Sequence, residues 1–253
     1  MTKLGVVTCQ VLELEFAHIL SNDSTISEIL VVDDQFSQQL IEILEYDNTQ
    51  HVSRVAHFEK VESDGLAVLI RVMEVGLHSS IQILTRRIKT AVQEIAPFVD
   101  GILLGYGLCG NALKNADDLF KDIRVPVMLP MENEEPVDDC VGLIIGGREK
   151  YYEEQCLCAG TMFMNAGFSR HWKKILSSEV PQKLIRKKDE ILQRLMENYE
   201  RSLLLPTTVL NEDELEKNTK EFNEKYGLKI ESRPGTLTLL ENAWQTVKRE
   251  AGS

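Results

Sequence analysis

The chain predicts an α/β protein: a doubly wound, mostly parallel sheet with a helix-rich C-terminal part. Three observations carry that expectation. Short apolar runs alternate with amphipathic segments through the first half. The runs are nearly continuous in Val, Ile and Leu, as strands covered on both faces must be, instead of alternating apolar and polar. With 253 residues, 43% of them hydrophobic, the chain can also bury a core between a sheet and two helical layers.

Taken in order, the expected strands are Leu4–Thr8, Glu28–Val32, Leu66–Met73, Gly101–Leu104 and Val125–Leu129. Between the third and fourth lies the clearest helix, over 80–96. Ile81, Leu84, Ile88, Val92 and Ile95 recur at spacings of three and four, and Pro97 closes it. Asp138 or Asp139 can cap a helix whose first turn holds Cys140, and Gly146 and Gly147 weaken or break it. The stretch AGTMFM predicts a further buried strand.

Beyond it, Leu184, Ile191, Leu195 and Tyr199 mark one amphipathic face, followed by an extended segment in SLLLPTTVL. Two capping boxes are expected. Asn211–Glu214 would open a helix through Leu215 and Phe222 that ends at Gly227, and Thr238–Glu241 one through Leu239, Ala243, Trp244 and Val247. A boundary near 177–181 would leave residues 1–178 as the core and 179–253 as the helix-rich part, in the same domain or beside it.

Composition excludes some functions. A net charge of −12 argues against binding a phosphate backbone, and the basic clusters TRRIK (85–89) and RKK (186–188) sit beside acids on expected helices. No run reaches the ~20 apolar residues that cross a bilayer. Glu13 and Glu15 interrupt the N-terminal stretch where a secretory signal would be apolar, so a cytoplasmic protein is expected. Five scattered cysteines make a poor disulfide framework; in a reducing compartment they are free thiols or metal ligands.

Cys9, Cys109 and Cys140 each come after an apolar run. Open α/β sheets gather their chemistry at the carboxyl ends of their strands, so residues a hundred apart can meet there. His78, in GLHSS, would lie at another such end. Three thiolates and an imidazole make a tetrahedral zinc set, or three ligands of an iron–sulfur cluster, so Cys9, Cys109, Cys140 and His78 are the candidate metal ligands. A bound cation would also offset the Asp138–Asp139 pair. The plainer reading is that free cysteines pack as small hydrophobes and His78 is a loop histidine.

Gly105, Gly107 and Gly110 surround Cys109 in GYGLCG and are the candidate cofactor-binding backbone. They match G-x-G-x-x-G after an expected strand. Against a dinucleotide stand the motif's place at the fourth strand, the weak helix pattern of NALKNADDLFKD, and a cysteine where pyrophosphate would come. Cys109 could instead be a nucleophile of thiol transfer. Cys156 and Cys158 form C-x-C, but no second pair accompanies them.

These segments together resemble the family catalogued as domain of unknown function 1638. The resemblance rests on Cys9 in TCQVLE, Gly76–His78, Gly105–Gly110, Asp139–Cys140 with Leu143–Tyr151 (LIIGGREKY), and Ala159–Thr161. The chain departs from the family's pattern where Asp138 replaces a histidine before D-C, where Met131 replaces an arginine after the proline, and where MENEEP is inserted. The resemblance implies a setting in anaerobic one-carbon metabolism, beside corrinoid methyltransferases. The expectation is therefore a metal-binding protein of methyl transfer. The alternative is a non-enzymatic accessory that docks on a corrinoid protein or methyltransferase and whose cysteines only pack.

Overall fold

The computed structural model describes residues 2–47, 51–58 and 64–252. Six strands form the main sheet: β1 (Lys3–Cys9), β2 (Ile26–Val32), β3 (His51–Val55), β4 (Leu66–Met73), β5 (Gly101–Gly105) and β6 (Val127–Met128). Their spatial order is β3-β2-β4-β1-β5-β6, and every pairing in the sheet is parallel. Leu4, Val6, Val7, Val68, Leu69 and Ile70 are fully buried, as expected for central strands with both faces covered. The edge strand β3 keeps a half-exposed pattern and lacks the apolar run that marks the others, which is why the sequence did not announce it.

The helices after these strands are α1 (Glu13–Ser21), α2 (Gln38–Asp47), α3 (Ile81–Ile95) and the short α4 (Ala116–Phe120). Successive side chains on a strand point to opposite faces, so Gly5 and Thr8 face opposite ways. A Cβ at Gly5 would press on Ile95 of α3 at 3.0 Å. Thr8 lies with Gly105 on the other face, where Phe16 of α1 fills the space a side chain at 105 would need. Helices therefore cover both faces, and the doubly wound α/β expectation holds.

A small antiparallel pair, β7 (Met131–Glu132) and β8 (Glu135–Pro136), leads into α5 (Cys140–Ile145) and α6 (Arg148–Leu157). The remainder is not only helical. β9 (Thr161–Met164), β10 (Arg201–Leu204) and β11 (Lys229–Ser232) make a second parallel sheet in the order β11-β10-β9. Helices α7 (Ala166–Ser178), α8 (Lys188–Met196) and α9 (Glu212–Tyr226) accompany it, and Trp172, Met196, Phe222 and Leu204 share a separate core. Since β9 precedes residue 178, this second α/β layer straddles the boundary read from the sequence. The last helix, α10 (Thr238–Ala251), returns to pack on β5 and β1.

Local details confirm some expectations and correct others. The Asn211–Glu214 capping box forms, and Gly227 ends α9 in the left-handed region at φ 67°. At α10 the expected box does not form. Thr238 is already helical, and its N–H donates to the Thr236 hydroxyl at 3.1 Å. The amphipathic face read through Leu184 and Leu195 is displaced: both are exposed, while Leu192 and Met196 are buried. Pro181 and a 3-10 turn over Gln182–Lys187 shift the helical phase.

Candidate functional site: a buried thiol cavity

Strand register sets the site. Cys9 at the end of β1 pairs with Met73 of β4, and Thr8 with Gly105 of β5, so the three central strands stop at one level. The segments leaving those strand ends occupy the space above them: Val11, the Glu74–His78 turn, and the Tyr106–Gly110 loop. Together with Asp139, Cys140, Val141 and side chains of α3 and α7 they enclose a cavity of about 310 Å³.

Cys109 and Cys140 are 31 residues apart, and the backbone brings them together. Leu108 N–H donates to the Val137 carbonyl at 2.8 Å and Cys109 N–H to the Asp138 carbonyl at 2.9 Å. Gly107 makes that approach feasible, since a Cβ there would lie 2.5 Å from the Asp139 Cα. Asp139 then caps α5 by accepting from Gly142 N–H at 2.8 Å, which fixes Cys140 as the first helical residue. The outcome is a Cys109 Sγ to Cys140 Sγ separation of 3.9 Å.

The turn holding Cys109 is strained. Cys109 has φ 45°, followed by Gly110 at 66° and Asn111 at 69°, three left-handed residues in a row. Non-glycine residues rarely adopt that region, and such outliers gather at functional sites.

Burial dominates the electrostatics. It pushes the Cys9 thiol far above its ordinary range, with the nearby Cys140 sulfur adding to the effect. For Cys109 the hydrogen bond with Cys140 leads, followed by burial. Tyr106, 2% exposed, is pushed up chiefly by burial and then by the three cysteines, and its hydroxyl faces the Cys9 thiol. That hydroxyl has no hydrogen-bond partner of good geometry among the described residues. Asp139 is raised by burial, and Tyr151 is raised by its own burial and by Asp139.

The four candidate ligands are not treated alike. Cys9, Cys109 and Cys140 line one cavity. His78 lines it too, but its Nε2 pairs with Glu179 at 3.3 Å on a side chain 45% exposed, so the structure gives the imidazole a surface partner. Among the described residues no group of three or more His, Cys, Asp and Glu side chains is already arranged around a metal position. The acidic pair needs no metal to offset it. Asp138 is paired with Arg148 at 3.4 Å, and Asp139 is occupied as a cap.

The glycines read as cofactor-binding have separate duties. Gly105 admits Phe16, Gly107 admits the Asp139 backbone, and of the three only Gly110 faces the cavity. No long helix starts after them, only turns and the five-residue α4, so the anion site of a dinucleotide fold is missing from this stretch. Cys156 is exposed and Cys158 half-buried at the end of α6, outside the cavity lining. Tyr106 was not singled out in sequence. Its signal was its place one residue beyond a strand end, inside GYGLCG.

Fold and site define a doubly wound α/β protein with a closed-in thiol cluster over its central strands. A family model described as protein of unknown function (DUF1638) matches residues 72–244. The chain belongs to that family. The match spans His78, Cys109 and Cys140, and Cys9 precedes it. No curated protein matches the sequence. No helix among the described residues is long and apolar enough to cross a membrane.

Proposed function

We propose that the chain is a metal-binding protein whose cavity holds one ion on Cys109, Cys140 and Cys9. The observation that carries this reading is the 3.9 Å between the Cys109 and Cys140 sulfurs. Two thiolates on one tetrahedral zinc, each at about 2.3 Å, stand roughly 3.8 Å apart. That is the edge of a single-ion site, which favours zinc over a cluster whose cysteines bind different irons.

The donor set supports the same conclusion. Burial holds the Cys9 thiol, and the hydrogen bond with Cys140 the Cys109 thiol, in the protonated, inert form, and a divalent cation is the group that would make them thiolates. Cys9 lines the same cavity, and ion binding would bring its sulfur to the pair. His78 is left to Glu179. Bound zinc would supply Lewis acidity and a site for one further ligand. The residues themselves hold the sulfurs at the strand ends, beside the apolar side chains of Val11, Leu84, Phe168 and Ile175.

The placement in anaerobic one-carbon metabolism, with a corrinoid protein or methyltransferase as partner, rests on the family resemblance and belongs to the same proposal. Raised thiol pKa values count against thiol transfer by Cys109 without a metal.

Anaerobic purification followed by elemental analysis tests the reading, with zinc and iron reconstitution in parallel. The expected result is close to one zinc per chain, lost in Cys109→Ala and Cys140→Ala and kept in His78→Ala. Protein that takes up neither metal ends it. A Cys109–Cys140 disulfide in the air-exposed, metal-free chain would then point to an oxidisable thiol pair.

A further inference from the structure

The cavity stands where the main sheet changes direction. β1 connects through α1 to β2 on one side, and β4 connects through α3 to β5 on the other. α1 and α3 lie on opposite faces. β1 and β4 are neighbours, so the segments leaving their carboxyl ends diverge and leave a crevice, the ligand position of an open α/β sheet. Here the crevice holds about 310 Å³, at the lower end of the range for small-molecule pockets.

The walls are apolar and come from five parts of the chain. Val11 follows β1, Leu77 follows β4, Leu84 is on α3, Val141 on α5, and Phe168 and Ile175 on α7. The first and last of these are tied together. Asn165 Nδ2 donates to the Val11 carbonyl at 3.1 Å, and Gly167 lets the start of α7 press against the Val11 backbone. Protonated cysteines pack as small hydrophobes, so the thiols extend this apolar lining instead of interrupting it.

Charge narrows the occupant. Among the described residues neither Lys nor Arg lines the cavity. Of its other charged groups, Glu74 is matched by Lys174 at 3.8 Å and His78 by Glu179 at 3.3 Å. Asp139 is held as the cap of α5 by Gly142 N–H at 2.8 Å. A carboxylate, phosphate or ammonium taken inside would give up its water and meet no free counter-charge, which is costly.

We propose that the cavity binds a small neutral molecule with a compact hydrocarbon body, of the size of a substituted benzene, held by burial against the six apolar walls. The inference goes beyond the metal reading and needs no bound ion. A cavity of about half this volume, lined by similar side chains, is enough to take up benzene. Binding involves no bond making and no proton transfer.

The full-length protein as isolated is titrated with fluorobenzene and followed by the fluorine resonance, with zinc content measured on the same sample. Saturable binding is expected, with displacement by toluene. Benzoate and benzylamine are expected to displace it at least about tenfold less effectively, because each carries a charge into the lining. Leu77→Trp and Val141→Phe enlarge two half-buried wall residues into the space, and each should weaken fluorobenzene binding about tenfold or abolish it. If one of them does not fold, the other decides; if neither folds, the competition on the unaltered protein decides.

A protein that does not bind fluorobenzene overturns the inference. Equal competition by benzoate or benzylamine overturns the neutral class, and undiminished binding in both folded variants overturns the placement. The two readings fail separately. Zinc uptake without fluorobenzene binding removes this inference alone, and fluorobenzene binding by a chain that takes up neither zinc nor iron removes the metal reading alone.

Discussion

Two buried polar regions of this molecule are built on opposite principles. In the second sheet, Arg201 is 4% exposed and every arm of its guanidinium is used. Nε donates to Thr161 Oγ1 at 2.8 Å, one terminal nitrogen to Glu231 at 2.5 Å, and the other to the Glu154 carboxylate at 2.7 Å and carbonyl at 2.8 Å. Glu154 also accepts from Arg233 at 3.0 Å. Over the main sheet, Cys9, Cys140 and Tyr106 are buried and Cys109 is half-buried. Among the described residues the Cys109 and Cys140 sulfurs bond only to each other, and the Tyr106 hydroxyl has no partner of good geometry. A closed network stabilises a fold, whereas an open one of equal burial leaves work for a ligand.

The largest effect expected is on the closed side. Arg201→Met would strand the Glu154 carboxylate with Arg233 alone, and breaking such a pair costs about 3–5 kcal/mol. Urea unfolding would measure it. A loss below about 1 kcal/mol would mean that the network adds little, and the contrast between the regions would fail. The thiol cavity draws on the other core, so metal uptake by the folded variant should be unchanged.

A third region lies between these extremes. Glu13 and Glu15 on α1 are fully buried where α1 meets α7, and both oxygens of Glu15 lack hydrogen-bond partners among the described residues. Glu13 has His171 at 2.8 Å. Burial raises Glu15 to about 8, with Glu13 opposing its charge and Arg170 partly relieving it. The folded protein thus holds a proton that the unfolded chain releases near the ordinary carboxylate value. Stability from this group is complete below about pH 4.5 and falls as pH rises toward 8.

Glu15→Gln should flatten that decline. The difference in unfolding free energy between the variant and the parent is expected to change on the order of 3 kcal/mol from about pH 5 to 8. Glu13, raised for the same reason, keeps some slope in the variant. Parallel pH curves for the two proteins would show that Glu15 is as easily ionised folded as unfolded.

How much of this could be read from sequence differs between the regions in the same way. The main sheet was legible because strands covered on both faces must be continuously apolar, and β4 matches its expected bounds of Leu66–Met73. The gathering of Cys9, Cys109 and Cys140 was legible from their shared place after strand ends. Their distances were not, because those depend on the pairing of 108–109 with 137–138, a contact that leaves no periodicity. β11 was missed for a related reason: a four-residue, half-exposed strand carries no pattern longer than a turn. Nor did the sequence reveal the Arg201 network, whose members lie 30 to 47 residues apart. His78 lines the cavity with the three cysteines, yet its ion-pair partner leaves no mark in the sequence. Its loop position was read correctly, but Glu179, a hundred residues on, receives it.

Gly107→Ala probes the link between backbone and site with no cysteine altered. The new methyl would collide with the Asp139 backbone, and the strand-end loops would have to separate. Overpacking of this kind costs about 1–3 kcal/mol. The expected signature is a stability loss in that range accompanied by sharply reduced zinc stoichiometry. Full metal content in a destabilised protein would mean that the Cys109–Cys140 spacing survives loop movement and that the site is less dependent on this contact than the geometry implies.

The smallest effect is expected at the remaining thiols, and it bears directly on which region holds chemistry. Cys156 is exposed, and Cys158 is tied through its backbone, with N–H to the Glu154 carbonyl at 3.1 Å and its own carbonyl accepting from Thr161 Oγ1 at 2.6 Å. Serine keeps both backbone contacts and changes little exposed area. Cys156→Ser with Cys158→Ser should therefore shift stability by no more than about 0.5 kcal/mol and leave metal content at the parent value. The informative comparison is with Cys109→Ala. If the double serine variant loses the metal and Cys109→Ala retains it, the C-x-C at the end of α6 is the chelate. The cavity thiols would then be core packing, and the difference between an open and a closed network would no longer separate ligand site from scaffold.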